Sequence, residues 1–133
     1  MIKKIKVLVI GCGNMGASHA TAYHNHKGFE ICGLVSRGNS KDILNNSLKS
    51  NYKTFSDYKS AILETKPDAV CISTYPDTHE EISLYALQNE CHIFLEKPIA
   101  ADLKGSRKII EKAEDRNRKL VIGYILRLSL IHI

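Results

Sequence analysis

The sequence predicts a parallel α/β sheet, doubly wound, with helices on both faces. Three observations predict it. Short β-rich apolar runs alternate with helical stretches along the whole chain. The runs KVLVI, DAVCIS and KLVIG are continuously apolar rather than alternating, the mark of strands buried on both faces. The connections between elements are short, which gives βαβ units with right-handed crossovers.

Each element follows from local signals. Ile5–Ile10 read as the first strand, Met15–His26 as the first helix and Phe29–Val35 as the second strand. Ser40 stands where it can cap a helix over Lys41–Lys49. Tyr52–Thr54 make a short third strand, and Ser56 is the cap candidate for a helix over Asp57–Lys66. Pro67 and Asp68 break the chain before a fourth strand, Ala69–Ser73. Thr78–Gln88 form the next helix and His92–Leu95 the fifth strand. Asp102 can cap a long helix over Leu103–Arg116, and Leu120–Tyr124 is the sixth strand. No repeat, low-complexity tract or interdomain linker interrupts this order.

A chain of 133 residues suits one domain around a single core. With 44% hydrophobic and 25% charged residues, it is expected to fold rather than remain disordered. The formal net charge of +5 comes from scattered cations. The one dense stretch, Lys104 to Lys119, interleaves Glu111, Glu114 and Asp115, so it reads as a solvated helix face. No nucleic-acid partner is expected, although the excess charge favours an anionic ligand.

Cys12, Cys32, Cys71 and Cys91 form no C-x-x-C pair and offer no clustered metal ligands. They read as free thiols in a reducing compartment, with no metal site. Lys3, Lys4 and Lys6 precede an apolar run, Val7–Ile10, that is too short for a signal peptide. No stretch reaches membrane-spanning length, so the expected location is cytoplasmic, away from membranes.

Gly11-Cys12-Gly13-Asn14-Met15-Gly16 is G-x-G-x-x-G, placed directly after a strand and opening a helix. That context makes it a dinucleotide-binding turn of the Rossmann type. Gly11 permits the tight turn, Gly13 lets a pyrophosphate approach the backbone, and Gly16 lets the helix pack on the sheet. The N–H groups at Asn14 and Met15 then face the phosphates at the positive end of the helix dipole. The competing reading is a glycine turn needed for packing alone.

An NAD-preferring site carries an acid at the end of the second strand, about 20 residues after the glycines. Here the segment is Leu34-Val35-Ser36-Arg37-Gly38-Asn39-Ser40, without a carboxylate. Ser36 can hydrogen-bond a 2′-phosphate, and Arg37 can pair with it or stack on the adenine. NADP(H) is therefore expected over NAD(H).

Two later segments narrow the function. They are Asp68-Ala69-Val70-Cys71-Ile72-Ser73-Thr74-Tyr75-Pro76-Asp77-Thr78-His79 and Cys91-His92-Ile93-Phe94-Leu95-Glu96-Lys97-Pro98-Ile99-Ala100. With the glycine turn, they resemble the Gfo/Idh/MocA family of glucose–fructose oxidoreductases and inositol dehydrogenases. The family pattern is a strand ending in I-x-T-P-N-x-x-H, a helix, then H-V-x-x-E-K-P. Gly123-Tyr124-Ile125-Leu126-Arg127 is similar to the family's segment after the sixth strand. Tyr75 departs from the pattern by replacing its first proline, which adds an aromatic surface.

The resemblance implies an NAD(P)-dependent dehydrogenase of two domains. The first binds the nucleotide; a second α/β domain binds substrate and mediates homo-oligomerisation. Family members move hydride to or from a carbinol or carbonyl carbon of a sugar, cyclitol or related small molecule, and some act on dihydrodiols or biliverdin.

Lys97 follows the carboxyl end of the predicted fifth strand, where ligands bind in such sheets. Its ammonium can hold the oxygen at the reacting carbon and exchange a proton with it. Glu96 is expected to pair with Lys97 or touch the nicotinamide ribose. Ser73 and Thr74 border the nicotinamide side of the cleft. His79 is either a cofactor contact or a packing residue at the helix start. His19 is expected to be structural.

The last residues, Leu128-Ser129-Leu130-Ile131-His132-Ile133, do not follow the family's continuation and resemble a translated transposon-end adapter. Residues 1–127 are thus expected to be the nucleotide-binding domain and 128–133 a non-native tail. The acid–base groups implied for the second domain then lie outside this chain, leaving it inactive alone. The alternative is a non-catalytic NADP-sensing regulator, which has no need of a lysine at the cleft edge.

Overall fold

The computed structural model describes residues 3–123. Tyr124, the rest of the segment through Arg127, and the 128–133 tail lie outside the described residues.

Strands and helices alternate as β1 (Ile5–Ile10), α1 (Asn14–Asn25), β2 (Phe29–Val35), α2 (Ser40–Leu48), β3 (Thr54–Phe55), α3 (Tyr58–Thr65), β4 (Ala69–Ile72), α4 (Pro76–Gln88), β5 (His92–Glu96), α5 (Leu103–Asp115) and β6 (Leu120–Gly123). The six strands form one sheet in the order β3-β2-β1-β4-β5-β6, every pair parallel. The order reverses between β1 and β4, and that switch point opens a crevice at the strands' carboxyl ends.

Continuous apolar strands are explained by the two cores they serve. Successive strand residues point to opposite faces. Val7 and Val9 join Ala20, Ile31, Leu34 and Leu44 under α1 and α2. Leu8, Ile10, Val70 and Ile72 join Ile62, Ile82, Leu87 and Ile109 under α3, α4 and α5. No helix among the described residues is long and apolar enough to cross a membrane.

Several helix starts differ from expectation. Ser40 is the first residue of α2, not its cap; Asn39 occupies the cap position without a side-chain hydrogen bond. Asp57, not Ser56, caps α3, its carboxylate accepting from Ser60 N at 3.1 Å. Helix α4 starts at Pro76 rather than Thr78. A proline there loses nothing, because its missing N–H is one a first helical turn leaves unpaired. Asp102 caps α5 as predicted, accepting from Gly105 N at 2.7 Å. The third strand is Thr54–Phe55, set by pairing with Leu34 and Val35.

Candidate functional site

The crevice is built from the loops that leave β1, β2, β3 and β4, and Lys97 after β5 does not line it. A cavity of about 770 Å³ lies there, bounded by Gly11, Gly13, Ser36, Arg37, Ser73 and Tyr75 among others.

The three glycines of the first loop differ in what holds them. Gly11 has φ +98°, a left-handed conformation that favours glycine, and an added Cβ would lie 2.6 Å from Ser73 O. A Cβ on Gly16 would lie 1.9 Å from Gly11 O, which is backbone and cannot give way. A Cβ on Gly13 would meet nothing within 4 Å. Gly13 is the cap residue of α1, and Ala17 N donates to its carbonyl at 2.7 Å. Asn14 and Met15 are exposed in the first turn, where backbone N–H groups have no partner within the helix. Cys12 is buried and points its thiol at Val35 O, 3.5 Å away. Burial pushes that thiol up to about 11, so it is protonated and inert near neutrality.

After β2, Ser36 is tied into its own loop: Oγ donates to Gly38 O at 3.1 Å and accepts from Lys41 N at 3.2 Å. Arg37 is exposed. Lys41, which sequence reasoning counted only among scattered cations, folds back over the loop and donates from Nζ to Ser36 O at 3.1 Å and to Gly38 O. Two cations thus flank Ser36, and the nearest acids along the chain, Glu30 and Asp42, lie outside the loop. The spacing of Ser36 and Lys41 was visible in the sequence; the fold-back of the ammonium was not.

After β4, Ser73 N donates to Ile10 O at 2.9 Å, placing the residue at the switch point. Its Oγ is buried without a hydrogen-bond partner, as is the Tyr58 Oη on the same cavity wall. Thr74 Oγ1 accepts from Thr78 Oγ1 at 2.7 Å.

His79 does not face the crevice, so its reading as a cofactor contact is corrected. It is fully buried, with Nδ1 2.8 Å from Pro98 O and Nε2 3.0 Å from Thr74 O. Each ring nitrogen faces a carbonyl, a neutral ring donating its one N–H to one of them, and the ring braces the loop after β4 against the loop after β5.

Glu96 pairs with His19 rather than with Lys97. Phe94 and Glu96 share the α1 face of β5, and there Glu96 Oε1 lies 3.2 Å from His19 Nε2. The His19 ring meets Phe94 edge-on, centroids 4.7 Å apart. Gly123 leaves room for this carboxylate, since a Cβ there would lie 2.7 Å from Oε1. His19 thus joins α1 to β5, a contact the sequence did not reveal. Lys97 lies immediately past β5 and is exposed, and the peptide linking it to Pro98 is cis. Among the described residues no cluster of three or more metal-ligating side chains occurs.

Comparison with known proteins gives the same assignment. An inositol 2-dehydrogenase/D-chiro-inositol 3-dehydrogenase from Lacticaseibacillus casei is 29% identical over 92% of this chain and 36% of its own length. A solved structure of scyllo-inositol dehydrogenase from Lactobacillus casei with bound NAD(H) and scyllo-inositol superposes with a TM-score of 0.86 at 25% identity, covering 95% of this chain and 38% of that one. A UDP-N-acetylglucosamine 3-dehydrogenase from Acidithiobacillus ferrooxidans matches at a TM-score of 0.82 and 27% identity, covering 93% and 39%. The chain therefore spans little more than a third of the length of these relatives. The model of the Gfo/Idh/MocA oxidoreductase family, NAD-binding Rossmann fold, matches residues 5–124, and the chain belongs to that family.

Proposed function

We propose that this chain is the nucleotide-binding part of an oxidoreductase that prefers NADP(H). In the whole protein, hydride passes between the nicotinamide and a carbinol or carbonyl carbon of a sugar, cyclitol or related small molecule. The relatives named inositol dehydrogenases favour a polyol substrate.

The observation that carries the reading is Gly13. Packing alone accounts for glycine at positions 11 and 16, but nothing in the fold requires it at 13. An approaching pyrophosphate does, because a side chain there would fill the space it occupies. The first-turn amides of Asn14, Met15 and Gly16 then serve as donors. The Ser73 hydroxyl, buried and unpartnered at the floor of the crevice, is a further group for the nucleotide.

A relative carries NAD(H), so the preference for NADP(H) rests on this chain's own loop. Ser36, Arg37 and Lys41 present a hydroxyl and two cations where an NAD-preferring site has a carboxylate. A 2′-phosphate gains two ion pairs there, and no acid in the loop repels it.

On the nicotinamide side, Lys97 is the catalytic residue this chain contributes. It holds the oxygen of the reacting carbon and exchanges a proton with it. Thr74 and Ser73 border the same space. Substrate contacts and the remaining acid–base groups belong to a further domain, so this chain alone turns over no substrate. Val121, 50% exposed on the edge strand, offers apolar surface for that domain. The whole protein is expected to be a homo-oligomer.

Calorimetric titration of the chain with NADPH and NADH tests the proposal. NADPH is expected to bind at least about tenfold more tightly, a difference of about 1.4 kcal/mol. Tighter NADH binding would overturn the preference, and binding of neither would overturn the dinucleotide reading itself. In the full-length enzyme, Lys97→Ala should reduce kcat by about a hundredfold or more.

A further inference from the structure

We propose that Tyr75 is the stacking platform for the adenine ring of the bound dinucleotide. The inference rests on the dinucleotide reading above and adds a residue that this chain has in place of the family's proline.

Tyr75 is 81% exposed, the highest value for any large apolar side chain among the described residues. A side chain left so open contributes little to the fold. Its backbone, by contrast, is held firmly. Tyr75 O accepts from Thr78 N at 3.0 Å and lies 2.7 Å from Thr78 Oγ1. The preceding carbonyl, Thr74 O, lies 3.0 Å from the buried His79 ring, and Pro76 follows as the first residue of α4. A ring presented from a fixed backbone loses little freedom when a flat ligand covers it.

The ligand's orientation in the cavity follows from charge and connectivity. Pyrophosphate belongs at the Gly11–Gly16 turn, and the adenosine ribose belongs at the end of β2 beside Ser36. The base hangs from that ribose, so it occupies the remaining space between the Ser36–Gly38 loop and Tyr75, which line one cavity. Nothing lies within 4 Å of a Cβ built on Gly38, so this loop leaves the base room. The remaining walls carry Asp57, Asp77 and Glu81. Those acids repel phosphates and leave that side of the cavity to the uncharged base. An aromatic face at its edge supplies the contact every nucleobase can make.

Three proteins and two ligands test this: the unsubstituted chain, Tyr75→Ala and Tyr75→Phe, each titrated with NADPH and with 2′,5′-ADP, which keeps the adenosine half alone. Tyr75→Ala should weaken both ligands by about tenfold and by the same factor, as expected for loss of one base–aromatic stack. Tyr75→Phe should bind within about twofold of the unsubstituted chain, because the ring and not the hydroxyl makes the contact. Melting temperatures of all three should coincide, since the ring is solvent-exposed. Unchanged binding of 2′,5′-ADP by Tyr75→Ala would overturn the inference and leave the dinucleotide reading standing. Equal losses in Ala and Phe would also overturn it. If the unsubstituted chain bound neither ligand, the dinucleotide reading would fail and take this inference with it.

Discussion

The two ends of the sheet use the same chain for opposite purposes. At the amino end, four helices hand over to strands through tight turns that carry Lys49, Lys66, Glu90 and Asn117 at φ 53°, 47°, 64° and 54°. Three of these turns close on themselves in the Schellman manner: Ser50 N donates to Asn45 O, Cys91 N to Ala86 O and Arg118 N to Ala113 O. The fourth, at Lys66, is followed by Pro67, which has no N–H to give, and keeps the single bond from Lys66 N to Ile62 O. A cavity of about 490 Å³ lies at this end too, but its polar groups bond to each other. His92 Nδ1 accepts from Lys119 N, and Arg118 Nη1 donates to Glu90 O.

At the carboxyl end the polar groups are left open. Gly13, Arg37 and Lys97 are exposed, and the Ser73 hydroxyl is unpartnered. An edge whose groups satisfy one another stabilises a fold, whereas an edge that keeps them unsatisfied is ready for a ligand. Cavity size does not separate the two ends; the amino end pairs most of its polar groups, Arg116 Nε excepted, whereas the carboxyl end leaves the Ser73 and Tyr58 hydroxyls unpartnered.

The sharpest way to break this comparison is Gly16→Ala, where the working end also bears on the fold. The new Cβ would sit 1.9 Å from Gly11 O, so α1 must move off the sheet. A loss of more than about 3 kcal/mol is expected, read by urea denaturation. A variant as stable as the parent would show that the α1–β1 contact is not tight.

His79→Leu comes next. The substitution fills the buried site with an apolar side chain but removes the ring N–H that donates to Thr74 O or Pro98 O. The carbonyl left without its donor costs about 1–3 kcal/mol, and a loss of that size is expected. Because His79 braces the loop after β4, which lines the crevice, NADPH affinity should fall as well, by severalfold. A stability loss without any loss of affinity would confine His79 to the core.

How far these features could be read in advance depended on whether the signal was local. Ile5–Ile10 and Phe29–Val35 emerged with their correct bounds because burial on both faces leaves an uninterrupted apolar run. The glycine turn was legible because its three glycines keep a fixed spacing between a strand and a helix, although Gly11 is held by the distant Ser73 O and the fold requires no glycine at 13. The start of α4 was not, since Pro76 reads as a break although the first helical turn accepts it. Ser56 and Asp57 were adjacent cap candidates, and only the bond to Ser60 N chose between them. The His19–Glu96 pair spans 77 positions and exists only because β5 runs where α1 can reach it. His79 reaches Pro98 across 19 positions, through the packing of α4 beside β5. Both contacts belong to the tertiary arrangement, which no local pattern encodes.

A smaller effect, of opposite sign, is expected at the amino end. Lys49 is exposed in a left-handed conformation that costs an L-residue energy and glycine almost none. Lys49→Gly should stabilise the chain by up to about 1 kcal/mol, reduced by the larger freedom glycine has when unfolded. NADPH binding should not change. A change in affinity would mean that the two ends are coupled through the sheet, contrary to the division drawn above.

Gly13→Ala is expected to have the smallest effect on stability. The added methyl group meets nothing within 4 Å, and Gly13 has φ −74°, which any residue adopts. Stability should therefore stay within about 0.5 kcal/mol of the parent. On the proposed function the methyl group instead enters the space of the pyrophosphate, so NADPH affinity should fall by about tenfold or more. Gly16→Ala and Gly13→Ala thus separate two reasons for glycine within one turn: the first loses the fold and binding together, the second loses binding alone. If Gly13→Ala bound NADPH as tightly as the parent, the open space above residue 13 would not be where the phosphates lie, and the turn would exist for packing.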